Sequence, residues 1–403
     1  MQHYDYVIIG GGICGVSAAE RIRTQDTHGT IAVVSNEPHL LYSRVLLPSY
    51  LKKRIPRTQV LLRTSEDFTR QRIVCVQDSV LEVMPAAQQV MLMDQEALHY
   101  TKLLIASGGT PRPWGDARHA RFQYRLQTLD DADRLFSALD SLYAPIIIGN
   151  SFIAMEFADI FVKNKIMPTI LMRESYLLSP CVEREGGKFL EENAKKHGVR
   201  ILSGDEVEKM SEQDDMLEIT TAQGEILKTN CGAVGIGIAR NMSFVRRSDI
   251  VVGERGIRVN EYLETNCEGI YAAGDVAEFY DVVRGSPHIN GNWTNAVTQG
   301  YHAGMVMTGT RKPYRMVSAY SIENLGLRIA MVGDCDPQQE SLVRYDEAAG
   351  RYARFFLKEG KLVGGLLINC REIYAPLIKY IEQGVRIDPA TLDIFDASRI
   401  RVV

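Results

Sequence analysis

A short apolar strand, a glycine turn and a helix occur twice in this chain. One copy runs from 6–9 into Gly10, and the other runs from 145–148 into Gly149. Both apolar runs are rich in β-branched residues and lack polar alternation, which is typical of a parallel strand covered by helices on both faces. The repeat therefore predicts an α/β fold with two Rossmann-like, doubly wound nucleotide-binding domains.

The order of the elements predicts how these domains divide the 403 residues, a length sufficient for several cores. We expect a discontinuous first domain over 1–115 and 246–310, with the second domain, 116–245, between its halves. From 311 to 403 the pattern changes to short strands and then a helix from Arg371, which predicts a C-terminal α+β domain. That domain is a candidate interface in a homo- or hetero-oligomer, and its final residues read as an extended tail.

Composition excludes several classes of partner. The net charge is -4 and no dense basic run occurs, so neither nucleic acid nor an anionic membrane is expected as a partner. No apolar run approaches the ~18 residues of a membrane span, and the N-terminus does not resemble a signal peptide. We therefore expect a cytoplasmic protein. Its seven cysteines are scattered without metal-ligand spacing, so no metal site is expected.

The first glycine turn matches a dinucleotide-binding motif in the structural context that the motif requires. Gly10, Gly12 and Gly15 have GxGxxG spacing, directly after a strand and at the start of a helix. Gly10 permits the tight turn, Gly12 lets backbone amides approach a pyrophosphate, and Gly15 lets the helix pack closely on the strand. The spacer residues Ile13 and Cys14 belong to the same loop, where Cys14 is expected to pack rather than react.

Other residues of the first half extend this site. The second strand ends near Asn36 and Glu37, where a carboxylate can accept hydrogen bonds from a ribose diol. Val80, in the next β segment, is also expected to contact the cofactor.

Three further segments carry a family resemblance. EPHLLYSRVLLPSYL contains Arg44, and LLIASGGTPRPW contains Ala106, Ser107, Gly108 and Arg112. In TNCEGIYAAGDVAEF a predicted strand ends at Gly274 and Asp275. With the first glycine motif, they make the chain resemble the FAD-dependent pyridine nucleotide oxidoreductases, which have a glutathione-reductase-like fold. The similar branch contains ferredoxin and rubredoxin reductases, nitrite reductase flavin segments and apoptosis-inducing factor.

The resemblance covers nearly the whole chain and implies that FAD is the first cofactor. It implies that Arg44 and Arg112 contact FAD and that Asp275 binds its ribityl chain. In GNWTNAVTQG it places Asn292 and Trp293 near the flavin ring, although a tryptophan is also common in protein cores.

The second motif departs from the expected pattern. Gly149 is present, but Ser151 and Ala154 replace the next two glycines, and Ile153 is the spacer. Ser151 puts a Cβ where a pyrophosphate approaches the backbone. Met172 stands where NAD enzymes usually carry a ribose-binding acid, and Arg173 beside it is either a surface charge or a ligand for the extra phosphate of NADPH. The pattern leaves NADH, NADPH or neither open.

Glu156 matches a family glutamate near the flavin and nicotinamide, and it is the one candidate catalytic residue. The resemblance places its lysine partner at the position that Ser49 holds, so we expect the family's ion pair to be missing.

No cysteine occurs in YSRVLLPSYLKKR, where the disulfide reductases of this superfamily carry their redox thiols. Dithiol chemistry is therefore disfavoured. The leading hypothesis is an NAD(P)H-dependent reductase that passes electrons through FAD to a ferredoxin, a rubredoxin or a metal-containing partner subunit. One alternative is a flavin subunit of a larger complex that does not use NAD(P)H. A second is a redox-responsive interaction protein.

Overall fold

The structure is a computed structural model that describes residues 2–281 and 283–391. In these residues the helices are α1 (Ile13–Gln25), α2 (Leu47–Leu51), α3 (Ser65–Arg70), α4 (Leu129–Ala138), α5 (Phe152–Lys163), α6 (Arg184–Lys196), α7 (Trp293–Met307) and α8 (Arg371–Gln383).

The strands in the first part of the chain are β1 (Gln2–Ile9), β2 (Ile31–Ser35), β3 (Ile73–Gln77), β4 (Val80–Met84), β5 (Gln89–Leu92), β6 (Leu98–Ile105), β7 (Gly109–Pro111), β8 (Gln123–Tyr124), β9 (Ile146–Ile148), β10 (Thr169–Met172) and β11 (Arg200–Ser203). They continue with β12 (Val207–Gln213), β13 (Met216–Thr221), β14 (Ile226–Thr229), β15 (Gly232–Val234), β16 (Ile238–Arg240), β17 (Ile257–Val259) and β18 (Ile270–Ala272). The remaining strands are β19 (Ala277–Asp281), β20 (Ser286–His288), β21 (Ala319–Asn324), β22 (Leu327–Gly333), β23 (Glu340–Asp346), β24 (Arg351–Lys358) and β25 (Lys361–Ile368).

The first compact unit comprises 1–45, 56–110 and 239–316. Its seven-stranded sheet has the order β3-β2-β1-β6-β5-β4, and β18 also pairs with β6. The register on β1 aligns Ile8 with Val33 on one side and with Leu104 on the other, both in parallel. Apolar residues on both faces of these strands are buried, because helices and loops cover both sides of a parallel sheet.

Helices α1 and α7 pack closely in this unit because glycines line their contact. A Cβ at Gly300 would lie 2.1 Å from the carbonyl oxygen of Cys14, and one at Gly304 would lie 2.7 Å from that of Ala18. Any larger residue at Gly300 would push α7 away from α1.

The second unit comprises 46–55, 111–238 and, among the described residues that follow, 317–391. It contains a parallel sheet of order β11-β10-β9-β15-β8 and an antiparallel sheet of order β12-β13-β14. A five-stranded antiparallel sheet, β21-β22-β25-β24-β23, follows, and α8 packs against it.

The predicted fold class is confirmed, with one Rossmann-like sheet in each unit and the helix at Arg371 where it was expected. The domain boundaries at 115, 245 and 310 remain predictions; in the structure, 46–55 and 317–391 belong to the same compact unit as 111–238. The predicted tail lies mostly outside the described residues. Among the helices of the described ranges, none is long and apolar enough to cross a membrane.

Candidate functional site

The first glycine turn holds the N-terminus of α1 close to the sheet. Gly10 has φ +120°, and a Cβ there would lie 2.2 Å from the carbonyl oxygen of Ala106. A Cβ at Gly15 would lie 2.0 Å from the carbonyl oxygen of Gly10. Both positions therefore require glycine, as the motif predicts.

Gly12 has a different role, because it leaves space rather than relieving a clash. A Cβ built on it would meet none of the described atoms within 4 Å. Gly12 is also the N-cap of α1, and no described side chain caps this helix. In contrast, Thr64, Thr128, Ser151 and Asn292 cap α3, α4, α5 and α7 through their side chains. The amides of the first turn of α1 are thus available to an anion.

The end of β2 brings together two predicted cofactor residues. Arg44 Nη2 donates to Glu37 Oε1 at 2.5 Å, and the Tyr42 hydroxyl donates to the other carboxylate oxygen of Glu37. The neighbouring Asn36 is exposed, and Ile13 is half-buried against the core. A ribose at this end of β2 would meet a carboxylate already oriented by two donors.

The end of β6 is fixed by a residue that the sequence analysis missed. The Ser107 hydroxyl donates to the carbonyl oxygen of Asn241 at 2.7 Å, and Asn241 Nδ2 donates to the Ser107 carbonyl oxygen at 3.1 Å. The backbone amide of Asn241 also donates to the carbonyl oxygen of Gly108. Val80, at the start of β4, is half-buried against the same core.

Asp275 follows β18, and its surroundings perturb the charge of its carboxyl group. Burial raises its pKa, and the nearby positive charges of Arg240 and Arg44 oppose the rise. Arg240 Nε also donates to the backbone oxygen of Asp275 at 2.8 Å. Gly274 has φ +77°, and a Cβ there would lie 3.2 Å from both Cβ and Sγ of Cys14. The sequence analysis missed Arg240, whose role depends on a contact with the backbone.

Helix α7 supplies buried polar groups. The side chain of Asn292 accepts the amide of Asn295 at 2.9 Å, so it caps the helix, and Trp293 is half-buried beside it. Asn295 and Gln299 are fully buried, yet both polar side-chain atoms of Asn295 and Nε2 of Gln299 lack a partner among the described residues. Buried polar atoms without partners indicate a polar ligand or water nearby.

Cys14 fits the packing role predicted for it. It is buried, and burial raises the pKa of its thiol well above the usual range. A thiol of this kind is a poor nucleophile at neutral pH.

The residues of the first unit therefore fit FAD. An uncapped helix N-terminus suits a pyrophosphate, a carboxylate at the end of β2 suits a ribose, and Asp275 and the partnerless amides suit a polar chain. Arg112, the other predicted FAD contact, is exposed and belongs to the second unit, so its role stays a prediction.

The second glycine turn repeats the first only in part. Gly149 has φ +122°, and a Cβ there would lie 2.5 Å from the carbonyl oxygen of Gly235, which parallels Gly10. The Ser151 hydroxyl donates to that same oxygen at 2.7 Å and accepts the amide of Ala154 at 3.2 Å. The Ser151 side chain therefore occupies a backbone amide that would otherwise be available to a pyrophosphate.

The end of β10 carries no carboxylate at the expected position. Met172 is buried and Arg173 is exposed, while Ile153 at the start of α5 is 43% exposed. These positions are compatible with the predicted nucleotide contacts of Ser151, Ile153 and Arg173, which stay predictions.

The expectation that Glu156 lacks a lysine partner is wrong. Lys52, at the C-terminal end of α2, lies with Nζ 3.0 Å from Glu156 Oε1. The same ammonium lies 2.8 Å from Oδ2 of Asp159, one turn further along α5. Ser49 sits one turn earlier, inside the helix, so the lysine is displaced along the chain and not lost.

This cluster is buried and strongly coupled. Burial raises the pKa of Glu156 although Lys52 opposes the rise, and the charge of Asp159 adds to it. Burial disfavours the charge of Lys52, but Glu156 and Asp159 outweigh that effect and raise its pKa. Lys52 is therefore an ammonium at neutral pH.

The fold and the first site define an oxidoreductase that binds a dinucleotide cofactor. Residues 4–300 match the family model described as pyridine nucleotide-disulphide oxidoreductase. The chain belongs to this family, and it is an FAD-dependent oxidoreductase within it.

Individual proteins agree with this assignment. The NADH-rubredoxin oxidoreductase of Clostridium acetobutylicum is 26% identical over 96% of this chain and 97% of its own length. Putidaredoxin reductase of Pseudomonas putida is 26% identical over 90% of this chain and 88% of its own length. A solved ferredoxin reductase of Rhodopseudomonas palustris has the same fold, with a TM-score of 0.89 at 23% identity, and the match covers 98% of this chain and 99% of that one.

Proposed function

We propose that this chain takes electrons from NADH or NADPH and passes them through FAD to a small redox protein, either a ferredoxin, a rubredoxin or a metal-containing partner subunit. The observation that carries the proposal is the uncapped N-terminus of α1 with open space at Gly12, together with the half-buried carboxyl group of Asp275, whose pKa burial raises. FAD supplies the two-electron to one-electron conversion that such a reaction needs.

The cysteines and the relatives support this acceptor class. None of the seven cysteines lies in 42–54, where a dithiol reductase of the superfamily would carry its thiols. Two of the relatives described above are named for reduction of rubredoxin or putidaredoxin. The flavin of this chain then needs an external acceptor rather than a thiol of its own.

A second function is favoured by one specific observation. Because Ser151 caps α5 and Met172 replaces an acid, the second site offers fewer ligands to a dinucleotide than the first. A flavin subunit that receives electrons from another subunit would need no second nucleotide. The choice between NADH and NADPH rests on Arg173, whose exposed guanidinium suits the additional phosphate of NADPH.

An anaerobic titration tests both functions. The purified yellow protein is mixed with NADH and, separately, with NADPH, and the visible absorbance of the flavin is followed. Prompt bleaching by one nucleotide supports the reductase and names its donor. If dithionite bleaches the flavin but neither nucleotide does, the reductase proposal fails and the subunit proposal remains.

The acceptor is tested in the same assay. Reduced protein is mixed with a rubredoxin and with a [2Fe–2S] ferredoxin, and reoxidation of the flavin is compared with that by buffer alone. Reoxidation that accelerates with one protein identifies the acceptor class, whereas no acceleration with either excludes both.

A further inference from the structure

The cluster on α5 contains more negative than positive charge. Lys52 contributes one ammonium, while Glu156 and Asp159 contribute two carboxyl groups within 3.0 Å of it. All three side chains are largely buried, at 4%, 13% and 2% exposure respectively. With every group ionised the site would hold one uncompensated negative charge away from water, which is strongly unfavourable.

Asp159 interacts more closely with Lys52 than Glu156 does. Its Oδ2 makes the shorter contact, 2.8 Å against 3.0 Å, and it is the more buried of the two acids. Its other oxygen accepts the backbone amide of Leu325 at 3.0 Å, in the turn between β21 and β22. Asp159 therefore has two hydrogen-bond donors, an ammonium and a backbone amide, and charge-assisted contacts of this kind are strong.

Glu156 has weaker support for a negative charge. Besides Lys52, the group that faces it is the side-chain amide of Asn324, which donates to its oxygens at 3.2 Å once the amide is oriented to satisfy its surroundings. Asn324 is fully buried and neutral. A neutral amide stabilises a carboxylate less than an ammonium does. Glu156 is therefore the group that can take up a proton and so remove the excess negative charge.

Other titratable groups on the elements packed against α5 do not compensate the cluster. Strands β9 and β15 carry no titratable side chain. On α2 the Tyr50 hydroxyl donates to Asp133, and on β21 the Tyr320 hydroxyl donates to the sulfur of Met331. Glu323, also on β21, is exposed and negative. The charge balance is therefore set by Lys52, Glu156 and Asp159.

We infer that Asp159 is a positioning residue that holds Lys52 and thereby keeps Glu156 as a neutral carboxylic acid at neutral pH. The neutral cluster is then Lys52 ammonium, Asp159 carboxylate and protonated Glu156. In this arrangement the proton of the cluster resides chiefly on Glu156.

The inference bears on the proposed function because Glu156 is its candidate catalytic residue, and a carboxylic acid, unlike a carboxylate, can donate a hydrogen bond or a proton.

The direct test is carbon-13 NMR of the full FAD-containing protein labelled at the glutamate side-chain carboxyl. The resonance that disappears in E156Q is assigned to Glu156. In the wild type at pH 7 we expect it at the carboxylic-acid position, and in D159N we expect it at the carboxylate position. Asp133→Asn, which neutralises another carboxyl group of the same unit, should leave the resonance unchanged.

Two outcomes would overturn the inference: a carboxylate resonance for Glu156 in the wild type at pH 7, or the same protonation state in D159N as in the wild type. D159N keeps an oxygen for the Leu325 amide, and the other glutamate resonances report whether it folds. If D159N does not fold, the pH titration of the wild-type Glu156 resonance tests the inference by itself. A titration midpoint in the pH range of exposed glutamates would refute the inference. The measurement needs no hydride transfer, so failure of the nicotinamide titration would leave its result independent.

Discussion

The Ser151 hydroxyl donates to the carbonyl oxygen of Gly235 at 2.7 Å. The contact ties the first turn of α5 to the end of β15, at the place where the first nucleotide fold has only glycine. It also allows the same hydroxyl to accept the amide of Ala154. A nucleotide that binds at this helix must therefore compete with a side chain of the protein.

Ser151→Gly should tighten nicotinamide binding. The substitution frees the Ala154 amide for a phosphate and removes the Cβ, and we expect the Kd of the preferred nucleotide to fall several-fold. Loss of the side-chain cap should cost only about 0.3 kcal/mol of stability, because glycine is itself tolerated at an N-cap position. Fluorescence titration with NADH and NADPH measures the first effect, and thermal unfolding measures the second.

Ser151→Ala is the matched control, because it removes the hydroxyl and keeps the Cβ. If S151A binds the nucleotide as tightly as S151G does, the hydrogen bonds of the Ser151 hydroxyl limit nucleotide binding and the Cβ does not. Unchanged affinity in both variants would show that Ser151 does not limit the site.

Gly12→Ala and Gly10→Ala should separate cofactor binding from folding. A Cβ at Gly12 meets no described protein atom within 4 Å, so G12A should fold and lose about tenfold or more in FAD affinity, equivalent to ~1.4 kcal/mol. A Cβ at Gly10 would lie 2.2 Å from the Ala106 carbonyl oxygen, so G10A should unfold or melt much earlier. The ratio of flavin to protein absorbance and the melting temperature of the flavin-free protein measure the two effects.

An apoprotein of G12A that melts far below the wild type would contradict this separation. So would full retention of flavin by G12A after gel filtration.

Asp275→Asn should stabilise the flavin-free protein while weakening its hold on FAD. Burial raises the pKa of this carboxyl in the folded state, so its ionised form opposes folding at neutral pH. Asparagine removes that charge, and we expect a gain of about 1 kcal/mol at pH 7. The gain should shrink as the pH falls toward the range where the carboxyl is protonated in both states.

Urea unfolding of wild type and D275N at pH 7 and pH 4 measures the difference. A D275N apoprotein less stable than the wild type at pH 7 would show that the carboxylate is well paired without its cofactor.

Lys52→Met should be strongly destabilising and pH-dependent. It leaves Glu156 and Asp159 buried without their cation, which costs about 3–5 kcal/mol at neutral pH. Carboxyl groups whose folded-state pKa is raised contribute their stability below the unfolded-state value and lose it as the pH rises through the folded-state value. The free energy of unfolding of K52M should therefore be closest to that of the wild type at about pH 5 and furthest below it at about pH 8.

Lys53→Met is the control beside it in sequence. Lys53 pairs with Asp140 at the surface, with 48% and 93% of the two side chains exposed, so its loss should cost less than about 0.5 kcal/mol. Equal effects of K52M and K53M in urea unfolding would contradict the buried cluster.

Much of the architecture was predictable because its signals are local. The strand-glycine-helix repeat predicted both nucleotide folds, and the change of pattern after 311 predicted the helix that begins at Arg371. Gly10 and Gly15 could be assigned because their backbone geometry and close packing admit no side chain. The GxGxxG spacing that marks them is local and is visible in the sequence, although the atom that a Cβ at Gly10 would meet belongs to the distant Ala106.

The cluster on α5 could not be predicted in the same way. Lys52 and Lys53 are adjacent and chemically alike, but α2 ends at Leu51, and only the fold turns one lysine inward and the other outward. Arg240 and Asn241 act on backbone atoms of segments distant in sequence, a kind of contact that leaves no motif. The sequence does not show which side chains point toward residues that are distant along the chain.

The close packing of α1 on α7 also constrains synthesis of the protein. Because Cys14 meets Gly300 across that interface, the flavin-binding lobe cannot finish assembling while the ribosome is still making the middle of the chain. The first strands and α1 cannot complete their packing until α7 has been synthesised and has left the ribosome. A chaperone that shields them would therefore be expected to raise the yield of yellow protein more than the yield of total protein.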